Sequence, residues 1–164
     1  KALDDGNLWE NTIVVLVGDH GEEFYEKGRL GHNSTFVQEQ VRTPLVIHIP
    51  GVKPQVYTGM SSYLDVVPIL APYFGVTNPI ADYSLGYNLL DPAQKRTYTI
   101  IANWSQVFYA SPKYKTLLPS NSIAFATQKL TDGNDNPLPS LDPFYNENKA
   151  ELFQIQRDLT RFVK

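Results

Sequence analysis

The chain has 164 residues, a hydrophobic share of 42%, a charged share of 19% and a formal net charge of −3. That length normally makes one globular domain with a real core, and a mildly acidic chain without a Lys/Arg block is a poor partner for nucleic acid. With no cysteine, a disulfide framework, a thiolate zinc site and a cysteine nucleophile are excluded within these residues, and no apolar run is long enough for a membrane span or opens the chain as a signal peptide.

Lys1 to Asn11 reads as one polar, turn-like stretch. Thr12 to Val17 is then an almost unbroken, β-branched apolar run stopped by Gly18, which predicts a strand buried on both faces, as inside a parallel sheet. Such a strand needs neighbours, and the residues before it supply none, so the chain is expected to be the C-terminal piece of a larger domain. Asp19, His20 and Gly21 follow directly. In open α/β sheets ligands sit beyond the carboxyl ends of strands. A carboxylate beside an imidazole offers two ligands for a divalent cation, and Gly18 and Gly21 let the backbone turn tightly around it. His32, twelve positions after His20 and behind Gly31, adds a third ligand or a phosphate-binding group. The alternative is a plain turn in which Asp19 caps a backbone N–H.

Glu22, Glu23 and Glu26 fall in a charged loop or short helix, either orienting His20 or His32 or forming a solvated face. Asn33-Ser34-Thr35 is a candidate helix N-cap, with Gln38 at a fair distance for a capping interaction. Arg42 to Pro50 predicts a second sheet strand, closed by Pro50-Gly51. Arg42 is placed either to bind an anionic ester or to form an ion pair. His48, inside the apolar strand, reads as a satisfied core histidine rather than a ligand.

Ser61 or Ser62 caps a helix carrying Leu64, Val67, Ile69, Leu70, Tyr73 and Phe74, kinked by Pro68 and Pro72 and ended by Gly75. Asn78 to Pro92 is a loop in which Tyr83, Ser84 and Tyr87 either touch a substrate or pack. After Pro92 the pattern changes. Tyr98–Ala102, Gln106–Ala110, Lys115–Leu118 and Ile123–Thr127 alternate with polar turns and predict a small antiparallel sheet of four strands. Residues 131–143 read as a loop of turn formers. A helix from about Asn146, with Leu152, Ile155, Leu159 and Phe162 at helical spacing, is expected to cover one face of that sheet.

The run VVLVGDHGEEF, the following GH, VRTPLVIHIPG, and the later SSYLDVVPIL and DYSLGYNLLDP together resemble the sulfatase-like branch of the alkaline phosphatase superfamily. Within it the chain looks most like the C-terminal part of membrane-anchored, extracytoplasmic sulfatase-like proteins of Gram-negative bacteria, near lipoteichoic acid synthases and phosphoethanolamine transferases. The resemblance implies an α/β fold. Residues 1–95 would be the C-terminal part of the sheet-and-helix core, and 96–164 the antiparallel sheet with its packing helix. The N-terminal half of the protein would supply a serine, threonine or formylglycine nucleophile, further metal ligands and the membrane segment, which places the protein on the periplasmic face of the inner membrane.

The expected function is that of a metal-dependent hydrolase or phosphotransferase acting on sulfate or phosphate esters, lipid- or glycan-linked substrates included. Asp19 and His20 would hold the cation. His32 would bind a second metal, contact a non-bridging oxygen or protonate the leaving group, and Arg42 would be a further substrate contact. The Asp-His pair favours manganese or zinc and leaves magnesium open. Calcium sulfatases resembling this family typically present Asp-Asn there, so calcium is less favoured. The alternative is a catalytically inactive, membrane-anchored sensor or lipid- or lipopolysaccharide-binding protein on the same scaffold. These 164 residues alone are expected to show no turnover.

Overall fold

The computed structural model describes residues 1–119, 126 and 128–161. The expected strand at Ile123–Thr127, apart from Ala126, and the helix residue Phe162 fall outside these. The described chain divides into two units, Lys1–Tyr57 and Thr58–Lys164.

In the first unit a one-turn helix α1 (Ala2–Asp5) precedes the apolar run, whose β-branched residues form β1 (Val14–Val17). It pairs antiparallel with β4 (Leu45–His48), Val14 facing His48 and Val17 facing Leu45. The expectation of parallel pairing is corrected, and the described residues do not supply the cover that burial on both faces requires. A parallel return needs a crossover that carries the chain back along the sheet, usually a helix of several turns. The connection instead holds a hairpin, β2 (Glu23–Phe24) with β3 (Leu30–Gly31), and a one-turn helix α2 (Gln38–Val41). Leu16 is 58% and Val46 60% exposed, so the described residues leave much of this two-stranded ladder uncovered. His48 turns its Nε2 to the Trp9 carbonyl at 3.1 Å and meets the Trp9 ring edge-on. It is a satisfied structural histidine.

The second unit opens with a capping box. The Ser62 side chain accepts from the Leu64 N–H, and Asp65 accepts from the Ser62 N–H at 2.7 Å. A 3-10 turn (Tyr63–Asp65), helix α3 (Val66–Leu70) and a second 3-10 turn (Ala71–Phe74) follow. The expected helix is thus broken by its prolines into short pieces, and Gly75 ends it in the left-handed conformation, φ 80°. Asp65, fully buried, also accepts from the Tyr87 N–H and takes both nitrogens of the Arg96 fork. It therefore pins the Asn78–Pro92 loop, which is a packed loop.

Among the described residues the sheet has five strands where four were expected. Strands β5 (Thr99–Ala102), β6 (Val107–Ala110) and β7 (Lys115–Leu118) sit where their alternation put them, and β8 (Leu130–Thr131) and β9 (Pro137–Leu138) complete the order β5-β6-β7-β8-β9. Part of the segment read as a loop of turn formers is therefore a hairpin, β8–β9, closed by Asp132. Its carboxylate accepts from the Asn134 and Asn136 N–H groups. Helix α4 (Asp142–Glu147) begins earlier than Asn146, because Pro143 is accepted in the first turn, and helix α5 (Lys149–Asp158) follows it. Phe144, at 0% exposure, packs with Tyr109, Tyr114, Leu130 and Ile155 as the core, and Leu152 lies against it. Leu159 is 52% exposed and does not join that core. Among the described residues no helix is long and apolar enough to cross a membrane.

Candidate metal centre

Strand β1 ends at Val17, and Gly18, Asp19 and His20 follow at its carboxyl end. Asp19 uses one carboxylate oxygen to accept the His20 N–H at 3.1 Å, while its other oxygen lies 3.6 Å from His20 Nε2. The capping turn and the paired ligands, alternatives in sequence, thus coexist: one oxygen caps and the other stays beside the imidazole. His20 Nδ1 is 2.9 Å from the Gly21 carbonyl. A carbonyl only accepts, so Nδ1 carries the proton and Nε2 keeps its lone pair for a cation.

The β2–β3 hairpin brings the second histidine in. Its ladder pairs Glu23 with Gly31 and Phe24 with Leu30, and one step further out the same register sets Glu22 opposite His32. Those side chains meet, His32 Nδ1 to Glu22 Oε2 at 2.8 Å. Gly31, at φ 100°, makes the turn that leads into His32, and His20, Glu22 and His32 all lie exposed. The His20 and His32 rings then stack with centroids 3.7 Å apart and planes 26° apart. His20, Glu22 and His32 each offer a ligand atom, all within 4.8 Å of one another. Two imidazoles and a carboxylate form a donor set that suits a divalent transition metal, so the residues present fit a cation.

The three acidic residues after the Asp-His pair do not share one role. Glu22 is the partner of His32. Glu23 is fully buried, accepting from the Arg29 and Lys27 N–H groups and from Gln40. Burial pushes its carboxyl up, but the hydrogen bonds from Arg29, Gln40 and Lys27 outweigh this and hold it below the usual carboxylate range. Glu26 caps the Phe24 N–H within the loop. Arg42 is exposed at the end of α2, and no ion pair reaches its guanidinium among the described residues, which corrects the expected ion pair. The N-cap expected at Asn33-Ser34-Thr35 is also displaced: α2 starts after Val37 without a side-chain cap, and Gln40 rather than Gln38 takes the Ser34 and Thr35 N–H groups. Sequence reasoning missed Gln40 altogether. The pairing of Glu22 with His32 was legible only once Gly28 and Gly31 are taken as hairpin punctuation.

Residues 1–76 match the family model described as Sulfatase. The multifunctional alkaline phosphatase superfamily protein PehA of Trinickia caryophylli is 32% identical over 91% of this chain and 30% of its own length. These matches support a sulfatase-like branch of the alkaline phosphatase superfamily. The delta 4,5-hexuronate-2-O-sulfatase of Bacteroides thetaiotaomicron is 27% identical over 92% of the chain and 35% of its own length. Among solved structures, BT1596, a 2-O GAG sulfatase, superposes with a TM-score of 0.66 at 22% identity, covering 93% of this chain and 36% of that one, which bears out the α/β sulfatase-like fold. The chain thus spans about a third of the length of these relatives. It is a sulfatase/phosphoesterase-like portion, and members of this superfamily are generally metal-dependent.

Proposed function

We propose that the full-length protein carrying this chain is a metal-dependent hydrolase or transferase acting on sulfate or phosphate esters. The observation that carries this reading is the convergence of His20, Glu22 and His32 at the end of β1, with Asp19 beside His20. Asp19 and His20 would hold the cation, manganese or zinc before the harder magnesium and calcium ions, for which an imidazole is a poor ligand. A cation bound there supplies positive charge that stabilises the ester oxygens and keeps a nucleophilic hydroxyl ionised. That hydroxyl comes from residues outside this chain.

The chain's own residues divide the remaining work. Glu22 accepts a hydrogen bond from His32 Nδ1 and so leaves His32 Nε2 to face the ester, where it would contact a non-bridging oxygen, protonate the leaving group or hold a second cation. The exposed guanidinium of Arg42 is available to an anionic group of the substrate. The apolar ladder of β1 and β4 is covered by the rest of the ester-cleaving domain, for which the exposed Leu16, Val17 and Val46 supply the contact. A membrane-anchored, periplasmic setting accords with the family members the motifs resemble.

The test is Asp19→Ala and His32→Ala in the full-length protein, read by cation content and by cleavage of aryl sulfate and aryl phosphate. Asp19→Ala should strip the tightly bound cation, and His32→Ala should cut turnover by about 10²- to 10⁴-fold, the range for a general acid. Unchanged cation content in Asp19→Ala would refute the assignment.

A further inference from the structure

The three segments that carry His20, Glu22 and His32 all meet at one buried residue outside the candidate centre. Gln40, 3% exposed, accepts the Gly21 N–H on its backbone carbonyl at 2.9 Å, next to His20. Its side-chain amide donates to Glu23 Oε2 at 2.7 Å, next to Glu22, and to Ser34 Oγ at 3.0 Å. Its side-chain carbonyl accepts the Ser34 and Thr35 N–H groups at 3.2 and 3.1 Å, just past His32. Glu23 completes the arrangement: its other oxygen takes the Arg29 and Lys27 N–H groups at 2.8 and 3.1 Å and so holds both arms of the hairpin.

We propose that Gln40 and Glu23 act as a positioning pair that fixes the spacing of His20, Glu22 and His32, and through the placement of His20 the affinity of the centre for its cation. The inference rests on the reading of that cluster as a metal centre. Neither residue touches the cation or the ester. Groups that orient metal ligands from behind change affinity by about 10- to 100-fold when altered, and buried hydrogen-bonded pairs hold geometry because an unmatched member is costly.

The pairing has a directional logic that can be reversed. Glu23 only accepts, and Gln40 donates to it while accepting from Ser34 and Thr35. In Glu23→Gln the new amide, with its oxygen kept on Arg29 and Lys27, points N–H at the N–H of Gln40. In Gln40→Glu two carboxylates face each other at the present 2.7 Å contact. The exchange Glu23→Gln/Gln40→Glu restores a donor opposite an acceptor. It keeps the oxygens on Arg29, Lys27, Ser34 and Thr35, and the Ser34 hydroxyl can turn to donate.

The experiment uses the full-length protein with Mn²⁺ as the probe, measured by calorimetry. Beside it, the imidazole proton shifts of His20 and His32 report their stacking with no cation added. Each single substitution should weaken Mn²⁺ binding by about 10- to 100-fold and move the His32 shifts, and the exchange should return both to near the wild-type values. Ser34→Ala, at an exposed position, removes one acceptor of the Gln40 amide and should move the His32 shifts without unfolding the chain, should the single variants prove unstable. Wild-type shifts and affinity in the single variants, or an exchange that restores neither, would overturn the pair. A wild-type protein that takes up no Mn²⁺ refutes the metal centre instead, and the cation-free shifts still decide the positioning.

Discussion

Gly21 is held by crowding rather than by its backbone angle, so Gly21→Ala tests how the Asp-His turn is docked. A Cβ built on Gly21 would lie 2.1 Å from the Glu39 carbonyl oxygen, and 3.1 Å from that of Arg42. Real Cβ contacts stay beyond 3.0 Å, so 3.0 − 2.1 puts the least displacement at about 0.9 Å, against backbone that cannot swing away. The same shift breaks the Gly21 N–H bond to the Gln40 carbonyl, about 1 kcal/mol. A misplacement of about 1 Å in a catalytic constellation costs on the order of 100-fold in rate. Gly21→Ala in the full-length protein should therefore lose about two orders of magnitude in ester cleavage, with weakened cation binding. Gly51→Ala is the control. There φ is 78° with nothing within 4 Å, so the cost is about 1–2 kcal/mol of backbone strain with cation binding intact. An alanine at position 21 that binds the cation as tightly as wild type would show that the turn is not wedged against α2 as described.

Three further outcomes concern the second unit. Asp65→Asn leaves the Arg96 guanidinium, 4% exposed, without its counter-charge and should cost about 3–5 kcal/mol in urea unfolding. Arg96→Met should cost less, because Asp65 keeps the Ser62 and Tyr87 N–H groups, and equal costs would contradict this asymmetry. Phe144→Ala should destabilise by about 3–5 kcal/mol, since its ring is fully buried against Tyr109, Tyr114 and Tyr145; a loss under about 1 kcal/mol would mean the site collapses around the gap. The Asp132 carboxyl is held below its ordinary 3.8 by the Asn136 side chain and N–H and by the Asn134 N–H. With the folded value lowered, the β8–β9 turn is stabilised above the unfolded value and loses this support as pH falls through the lowered one. An amide-shift titration of Asn134 and Asn136 should show a midpoint below 3.8, and a midpoint above it would contradict these bonds.

How much of this was legible in the sequence depends on the range over which each residue is satisfied. Ser62 and Gly75 make contacts within a few positions, so the cap and the stop were readable as local chemistry. The Asp19-His20 doublet was equally readable, because its place follows from the end of an apolar strand. The partner strand was not: the pairing of Val14 with His48 is decided by the connection between them, and composition alone suggests burial on both faces. Glu23 shows the limit most clearly. In sequence it is one acid among three in a charged loop. In the fold it is the fully buried one, because the two-residue period of β2 turns it away from Glu22 and toward Gln40, seventeen positions on. A one-residue slip of that hairpin would expose Glu23 and bury Phe24 in its place, separating Glu22 from His32. The buried acid and the histidine cluster are thus two consequences of one register, and the site forms only where the hairpin is paired correctly.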